Sequence, residues 1–134
     1  MENFIQDIIT KDEQDINLTS PLVWAYIGDA VYEVYIRTYL VENTKLNTHN
    51  LHINSIKYVK AKAQAEILQK LMPNLTEEEQ NVVRRTRNTQ NHHVPKNASV
   101  ADYMYATAFE GLIGYLYLKK NNKRLKEILE IIVK

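Results

Sequence analysis

The feature that most constrains the fold is the run from Leu22 to about Val41, which contains no proline and is almost wholly apolar as far as Val31. Ser20 and Pro21 stand immediately before it. Serine can cap a helix, and proline suits the first helical position because its missing N–H has no partner there in any case. A segment that is apolar on nearly every side predicts a helix buried at the centre of the protein.

Two more helices are predicted in the middle of the chain. Over residues 48–71 the apolar positions recur at steps of three, four and five, and Pro73 ends the pattern. Thr76 and Glu79 have the spacing of a capping box, so a third helix begins there and continues into a cluster of arginines.

The last third of the chain predicts a loop and two helices. Residues 88–98 are polar and contain a proline, which is typical of a loop. Ser99 begins a fourth helix that reaches about Lys120, and residues 123–133 form a short amphipathic helix. No segment alternates as a strand does, and three glycines and three prolines are too few for a loop-rich β-sandwich. The predicted fold class is all-α.

Composition excludes several classes of protein. The 134 residues suit one domain, and the absence of cysteine excludes a disulfide framework, a thiolate zinc site and a cysteine nucleophile. The first fifteen residues lack the basic start and apolar core of a secretory signal, and no uncharged apolar stretch is long enough to cross a membrane. We therefore expect a cytoplasmic protein.

Two carboxylates interrupt the apolar helices, Asp29 in the first and Glu110 in the fourth. A lone carboxylate in apolar surroundings is costly unless it is paired, protonated or bound to a metal. Small residues surround both acids at helical spacing. They are Ala25, Gly28 and Ala30 around Asp29, and Ala106, Gly111 and Gly114 around Glu110. We predict that the two helices cross at these small residues and bring the two acids together.

Two facing carboxylates repel each other unless one is protonated or a divalent cation lies between them. Ligation by oxygen alone favours Mg²⁺ or Mn²⁺, and such a cation can activate water and stabilise charge on a scissile phosphate. In the alternative interpretation, each acid forms a salt bridge within the chain. Glu33 and Arg37 follow Asp29 at successive steps of four residues, so all three lie on one face of the predicted helix. We expect Glu33 and Arg37 to form an ion pair at the surface.

The charge is unevenly distributed, although the net charge is only +1. Residues 80–101 carry three arginines and one lysine and no acid, and residues 45–70 carry five lysines against one glutamate. Two basic stretches indicate a polyanionic partner. Solvated helix faces and a flexible loop are the alternative explanation.

Two motifs resemble one known family. Residues 26–31, Tyr-Ile-Gly-Asp-Ala-Val, resemble the signature helix of ribonuclease III catalytic domains. Residues 109–117, Phe-Glu-Gly-Leu-Ile-Gly-Tyr-Leu-Tyr, resemble the second metal-binding helix of the same family, and they follow at the expected distance of about eighty residues. The segments 87–88 and 94–97 are similar to the mini-ribonuclease III group, which lacks a double-stranded-RNA-binding domain.

The resemblance implies a helical homodimer whose two active sites face a shared groove and cut double-stranded RNA with a divalent metal, Mg²⁺ or its substitute Mn²⁺. It implies a catalytic domain over residues 18–134, preceded by an N-terminal extension over 1–17. Asp29 matches the family's catalytic aspartate and Glu110 its metal-binding glutamate. Leu22, Ala25 and Thr107 stand where the larger enzymes carry further acids, so only the two matching acids are carried over.

The mini-ribonuclease III group trims both ends of the 23S ribosomal RNA precursor, and the resemblance implies that substrate, with a ribosomal protein as a further partner that presents it. Duplex RNA is recognised mostly through phosphates and 2′-hydroxyls, which basic and amide side chains can contact. The candidate RNA-binding residues are Arg84, Arg85, Arg87, Asn88 and Lys96, with Lys57 and Lys60 on the second helix. A non-catalytic dimeric RNA-binding module and a helical protein–protein adaptor are the alternative functions.

Overall fold

The computed structural model describes residues 4–89 and 99–134, and within these residues it contains helices and no strand. The all-α prediction is confirmed. Two short 3₁₀ turns span Gln6–Ile8 and Met72–Asn74. The α-helices are α1 (Glu13–Leu18), α2 (Pro21–Asn43), α3 (Thr48–Val59), α4 (Ala61–Leu71), α5 (Glu77–Asn88), α6 (Val100–Leu118) and α7 (Asn122–Val133).

The helix starts follow the local signals in the sequence. The Ser20 hydroxyl accepts the N–H of Leu22 at 3.3 Å, and the Ser99 hydroxyl accepts the N–H of Asp102 at 3.0 Å. Thr76 and Glu79 form the predicted capping box at the start of α5, with hydrogen bonds of 2.9 and 3.1 Å. These bonds satisfy N–H groups that the first turn of a helix leaves without a partner.

Helices α2 and α6 form the centre of the molecule, and α3, α4, α5 and α7 pack around them. Tyr32 and Phe109 are fully buried at the α2–α6 contact, with their rings edge to face and 4.9 Å apart. None of the helices in the two described stretches is both long and apolar enough to cross a membrane.

The backbones of α2 and α6 touch where the helices cross. A Cβ atom added to Gly28 would lie 1.8 Å from the carbonyl oxygen of Glu110, and one added to Gly114 would lie 1.8 Å from the carbonyl oxygen of Trp24. No side chain fits at either position, because the atoms in the way belong to the opposing backbone. The predicted crossing at small residues is confirmed.

The prediction of one helix over residues 48–71 is wrong, because the chain forms α3 and α4 with a corner at Lys60. Lys60 has an extended backbone (φ −65°, ψ 152°), and it is both the C-cap of α3 and the N-cap of α4. The side-chain amide of Gln64 donates to the carbonyl of Val59 at 2.8 Å and so satisfies a carbonyl at the end of α3. Hydrophobic spacing continues through the corner, so periodicity alone does not reveal it.

The N-terminal segment packs against the central helices. Ile16 of α1 is buried, and its carbonyl accepts the indole N–H of Trp24 at 3.0 Å. Gln6 donates to the carbonyl of Tyr117 at 2.8 Å and exchanges hydrogen bonds with Asn122. The boundary between residues 17 and 18 stays a prediction.

The α2–α6 contact predicts different responses to alanine at different glycines. Gly28→Ala forces the two backbones apart, so we expect a loss of unfolding free energy above the roughly 1–3 kcal/mol usual for overpacking. At Gly111 the three atoms nearest to an added Cβ all belong to the side chain of Thr86. Thr86→Ala should therefore recover part of the stability lost in Gly111→Ala, measured by urea denaturation followed by circular dichroism. Equal losses in Gly28→Ala and Gly111→Ala, with no recovery in the double variant, would contradict the backbone contact.

Candidate active site

The crossing of α2 and α6 places Asp29 and Glu110 in one open pocket, whose walls come from these two helices. Gly28 touches the backbone of Glu110, so the residue beside it, Asp29, lies next to the same turn of α6. Asp29 is exposed at the surface, whereas Glu110 is half-buried. The sequence prediction that these two acids come together is confirmed, and their catalytic and metal-binding roles remain predictions.

The two carboxyl groups interact directly. Burial, followed by the charge of Asp29 and a hydrogen bond with Asp29, raises the pKa of Glu110 from its ordinary 4.5 to about 8. The amide of Gln64 acts in the opposite direction and lowers the pKa. Near neutral pH, Glu110 therefore retains a proton that it can donate to the Asp29 carboxylate.

The alternative interpretation, a salt bridge for each acid, finds no support in the described residues. Their ion pairs involve other acids, such as the predicted Glu33–Arg37 pair at 3.1 Å and the buried Glu79 with Arg124 at 2.7 Å. Within residues 4–89 and 99–134, neither Asp29 nor Glu110 has an arginine or lysine within ion-pair distance. Among the described residues no cation of the chain neutralises the pair, and the proton that Glu110 retains does so instead.

The donor atoms at this pocket fit a hard divalent cation. Two carboxylates lie together, and the Oε1 atom of the neighbouring Gln64 is buried without a hydrogen-bond partner. The described part of the chain has no cluster of three or more histidine, cysteine, aspartate or glutamate side chains that could hold a metal. Mg²⁺ commonly binds through one or two carboxylates and completes its shell with water and substrate phosphate oxygens, so two acids are enough.

The predicted RNA-binding arginines lie on different sides of α5. Arg84 and Arg87, one turn apart, line a groove with Tyr105 that shares no residue with the pocket of Asp29 and Glu110. Arg85 points elsewhere: its guanidinium lies 5.0 Å from the ring centroid of Trp24 and donates to the carbonyl of Asn17 at 3.3 Å. Arg85 thus has a packing role that the sequence did not reveal, and its RNA contact stays a prediction.

The other candidate RNA-binding residues are distributed over two places. Asn88 ends α5, exposed, and accepts a hydrogen bond from Arg87 at 3.4 Å. Lys57 and Lys60 are exposed at the end of α3 and at the α3–α4 corner, next to the Val59 carbonyl that holds Gln64. Lys96 lies outside the described residues.

Sequence reasoning missed Gln64, a polar residue that interacts with the carboxyl group of Glu110. Gln64 is only 2% exposed, and it is a polar break between the buried Ala63 and Ala65, a signal of the same kind that identified Asp29. Thr107 lines the pocket one turn before Glu110, and its hydroxyl donates to the carbonyl of Tyr103 at 2.9 Å.

Comparison with known proteins agrees with this geometry. The family model described as "Ribonuclease III domain" matches residues 22–121, a segment that contains both acids. The chain belongs to the ribonuclease III family. It is an endoribonuclease of that type, as the resemblance of the two motifs predicted.

Named relatives of this ribonuclease III-family chain cover most of its length. A protein named Mini-ribonuclease 3 from Thermoanaerobacter sp. (strain X514) is 46% identical over 99% of this chain and 94% of the relative. Another protein of that name, from Symbiobacterium thermophilum, is 50% identical over 82% of this chain and 85% of the relative. An X-ray crystal structure of a protein from Fusobacterium nucleatum, 34% identical, superposes with a TM-score of 0.79 and covers 89% of this chain and 95% of its own.

The raised pKa of Glu110 predicts how stability depends on pH. Between pH 4.5 and about 8 the folded state binds more protons than the unfolded state, so the unfolding free energy falls as pH rises, by up to about 1.4 kcal/mol per pH unit. Glu110→Gln removes this dependence. Without metal, its melting temperature should approach or equal that of the wild type near pH 5 and exceed it increasingly toward pH 8.

The matched control is Glu42→Gln, which changes an exposed glutamate of α2 far along the helix from Asp29. It should follow the wild type at every pH. If the melting temperatures of Glu110→Gln and the wild type stay parallel from pH 5 to 9, the two carboxyl groups do not share a proton in the folded protein.

Proposed function

We propose that this chain is a Mg²⁺-dependent endoribonuclease, with Mn²⁺ as a substitute, that cuts double-stranded RNA as a homodimer in the cytoplasm. Asp29 and Glu110 are its catalytic and metal-binding pair. The observation that carries the proposal is their meeting in one open pocket, without a cation of the chain on either in the described residues. Membership of the ribonuclease III family supports the same reaction.

Asp29 and Glu110 would hold the cation between α2 and α6. A divalent cation bound there supplies positive charge for the scissile phosphate and lowers the pKa of water. The exposed position of Asp29 gives the RNA backbone access to the pair, and Glu110 must release its proton before it can bind a cation. In the reaction, the oxygen of water bonds to phosphorus and water gives up a proton, the bond from phosphorus to the 3′-oxygen breaks, and that oxygen takes up a proton. The phosphate stays on the 5′ end of the downstream product.

The exposed face of α2 supports a homodimer. Val23, Tyr26, Ala30, Val34 and Val41 recur at helical spacing and are all exposed, Tyr26 to 81% and Val34 to 65%. Exposed apolar residues that recur on one face of a helix mark an interaction surface more often than apolar residues scattered singly do. Tyr26 and Ala30 also line the pocket of Asp29 and Glu110, so a second copy on this face would place the two active sites side by side.

The specific substrate in this proposal is the precursor of 23S ribosomal RNA, which the enzyme cuts near both ends. A ribosomal protein presents this RNA to the enzyme. What supports it is the similarity to proteins named Mini-ribonuclease 3 over most of the chain. Mapping of 23S precursor ends in a strain that lacks this gene tests it: unprocessed ends are expected, and mature ends at both positions exclude this substrate.

One observation favours a non-catalytic RNA-binding module as the second candidate, since Leu22, Ala25 and Thr107 line the pocket where the larger enzymes carry further acids. Incubation of a duplex RNA with the protein in Mg²⁺ or in EDTA separates the two. Cuts on both strands that require Mg²⁺ support the nuclease, whereas binding without cuts supports the module.

Asp29→Asn and Glu110→Gln should each reduce cleavage to background, because the cation loses one of only two charged ligands. Both variants should keep the helicity of the wild type by circular dichroism and its affinity for duplex RNA. Glu42→Gln again serves as the matched control and should cut normally. Cleavage at the wild-type rate in either variant would remove that acid from the catalytic site.

Arg84→Ala and Arg87→Ala should weaken duplex binding and make it less dependent on salt, by roughly one unit of slope for each phosphate that the variant no longer neutralises. Arg85→Ala should instead lower the melting temperature, since it removes a cation–π interaction worth about 0.5–1 kcal/mol. Filter binding at several salt concentrations measures the first effect. An unchanged salt slope in both Arg84→Ala and Arg87→Ala would exclude this face of α5 from the RNA interface.

Val34→Lys should produce monomers, because it places a charge at the centre of the exposed stripe of α2. Light scattering coupled to gel filtration measures the mass, and cleavage of both strands should be lost with the dimer. Ile131→Lys on α7 changes another exposed apolar residue and is the control. A wild-type protein that is monomeric at micromolar concentration contradicts this part of the proposal.

A further inference from the structure

Gln64 is a buried polar side chain that α4 places beside Glu110. It is 2% exposed, and its Nε2 atom donates to the carbonyl of Val59 at 2.8 Å. A carbonyl only accepts hydrogen bonds, so this contact establishes which end of the amide is the nitrogen. The amide also interacts with the Glu110 carboxyl group in the direction that favours its charged form, as an N–H near a carboxylate does.

The other end of the same amide has no partner. In the described part of the chain, Gln64 Oε1 is the one buried side-chain nitrogen or oxygen without a hydrogen bond. An unpaired buried acceptor destabilises the fold, and leucine or methionine at this position would avoid that loss of stability. A buried polar atom without a partner calls for a functional explanation. For Gln64 that explanation is its position beside Glu110, one of the two acids of the neighbouring pocket.

The corner between α3 and α4 holds the amide in place. Because Lys60 is extended, the Val59 carbonyl is available to Gln64 and locks its side chain across the corner. Outer groups that orient metal-binding carboxylates typically contribute 10–100-fold to metal affinity or activity. With only two acids in this pocket, the orientation of Glu110 matters more than in a site with four ligands.

We infer that Gln64 is a positioning residue for Glu110: its amide N–H orients the carboxylate toward the cation, and its free Oε1 accepts a hydrogen bond from water in the loaded site. This inference rests on the proposed metal-dependent activity. It assigns a role to the α3–α4 corner, which otherwise has no part in the reaction.

The test compares Gln64→Leu and Gln64→Glu with the wild type. Gln64→Leu removes the amide, and Gln64→Glu keeps its shape but replaces the N–H donor with a second negative charge beside Glu110. We expect Mn²⁺ affinity, measured by calorimetry on the RNA-free protein, to fall about 10–100-fold in Gln64→Leu. The Mg²⁺ concentration for half-maximal cleavage should rise in parallel, while duplex affinity in EDTA stays unchanged. Gln64→Glu should not recover the wild-type Mg²⁺ requirement.

The matched control is Gln6→Leu, which removes another glutamine that is 2% exposed, bonded to Tyr117 and Asn122. It should lower the melting temperature and leave Mn²⁺ affinity intact. Wild-type Mn²⁺ affinity in a folded Gln64 variant overturns the inference. If Gln64→Leu does not fold, Gln64→Glu decides by the same measurement.

The two proposals fail in different ways. A wild-type protein that binds Mn²⁺ but cuts no duplex RNA removes the nuclease proposal, and calorimetry on the Gln64 variants still decides the positioning role. A wild-type protein that binds no Mn²⁺ overturns the inference itself.

Discussion

The backbone contact between α2 and α6 is the constraint on which the rest of the structure depends. Gly28 and Gly114 let the two helices approach until carbonyl oxygens occupy the space of a side chain. This approach fixes the register of α2 against α6, and the register sets Asp29 opposite Glu110. The other helices complete the core around the contact. Helix α4 places the side chain of Gln64 beside Glu110. The pocket of Asp29 and Glu110 therefore depends on the absence of a Cβ atom at Gly28 and at Gly114.

The second constraint is electrostatic, since two acids at a close helix crossing destabilise the fold unless something neutralises them. In the protein without metal, a proton on Glu110 does so, and this is the physical meaning of its raised pKa. A divalent cation would replace the proton and bind most tightly where Glu110 ionises readily. The site thus gives up stability at neutral pH, and shifted pKa values of this kind are common at functional sites.

Local signals predicted much of this structure. Ser20, Thr76 and Ser99 cap helices because their hydrogen bonds involve neighbours in the chain, and Asp29 and Glu110 stood out because charge interrupted an apolar pattern next to small residues. The corner at Lys60 was missed, since hydrophobic spacing runs through it and the bond that stabilises it comes from a side chain four residues on. Helix α1 was missed because six residues give too short a pattern. Charge alone grouped Arg85 with Arg84 and Arg87, and only tertiary packing shows that it lies on Trp24.

The central claim is that one divalent cation joins the acid of α2 to the acid of α6. The most direct measurement is the anomalous scattering of manganese in crystals grown with Mn²⁺ at pH 8. We expect a manganese peak within bonding distance of a carboxylate oxygen of Asp29 and of one of Glu110. Manganese bound elsewhere, or a site between these residues that stays without manganese while Glu110 keeps its proton, would contradict the claim.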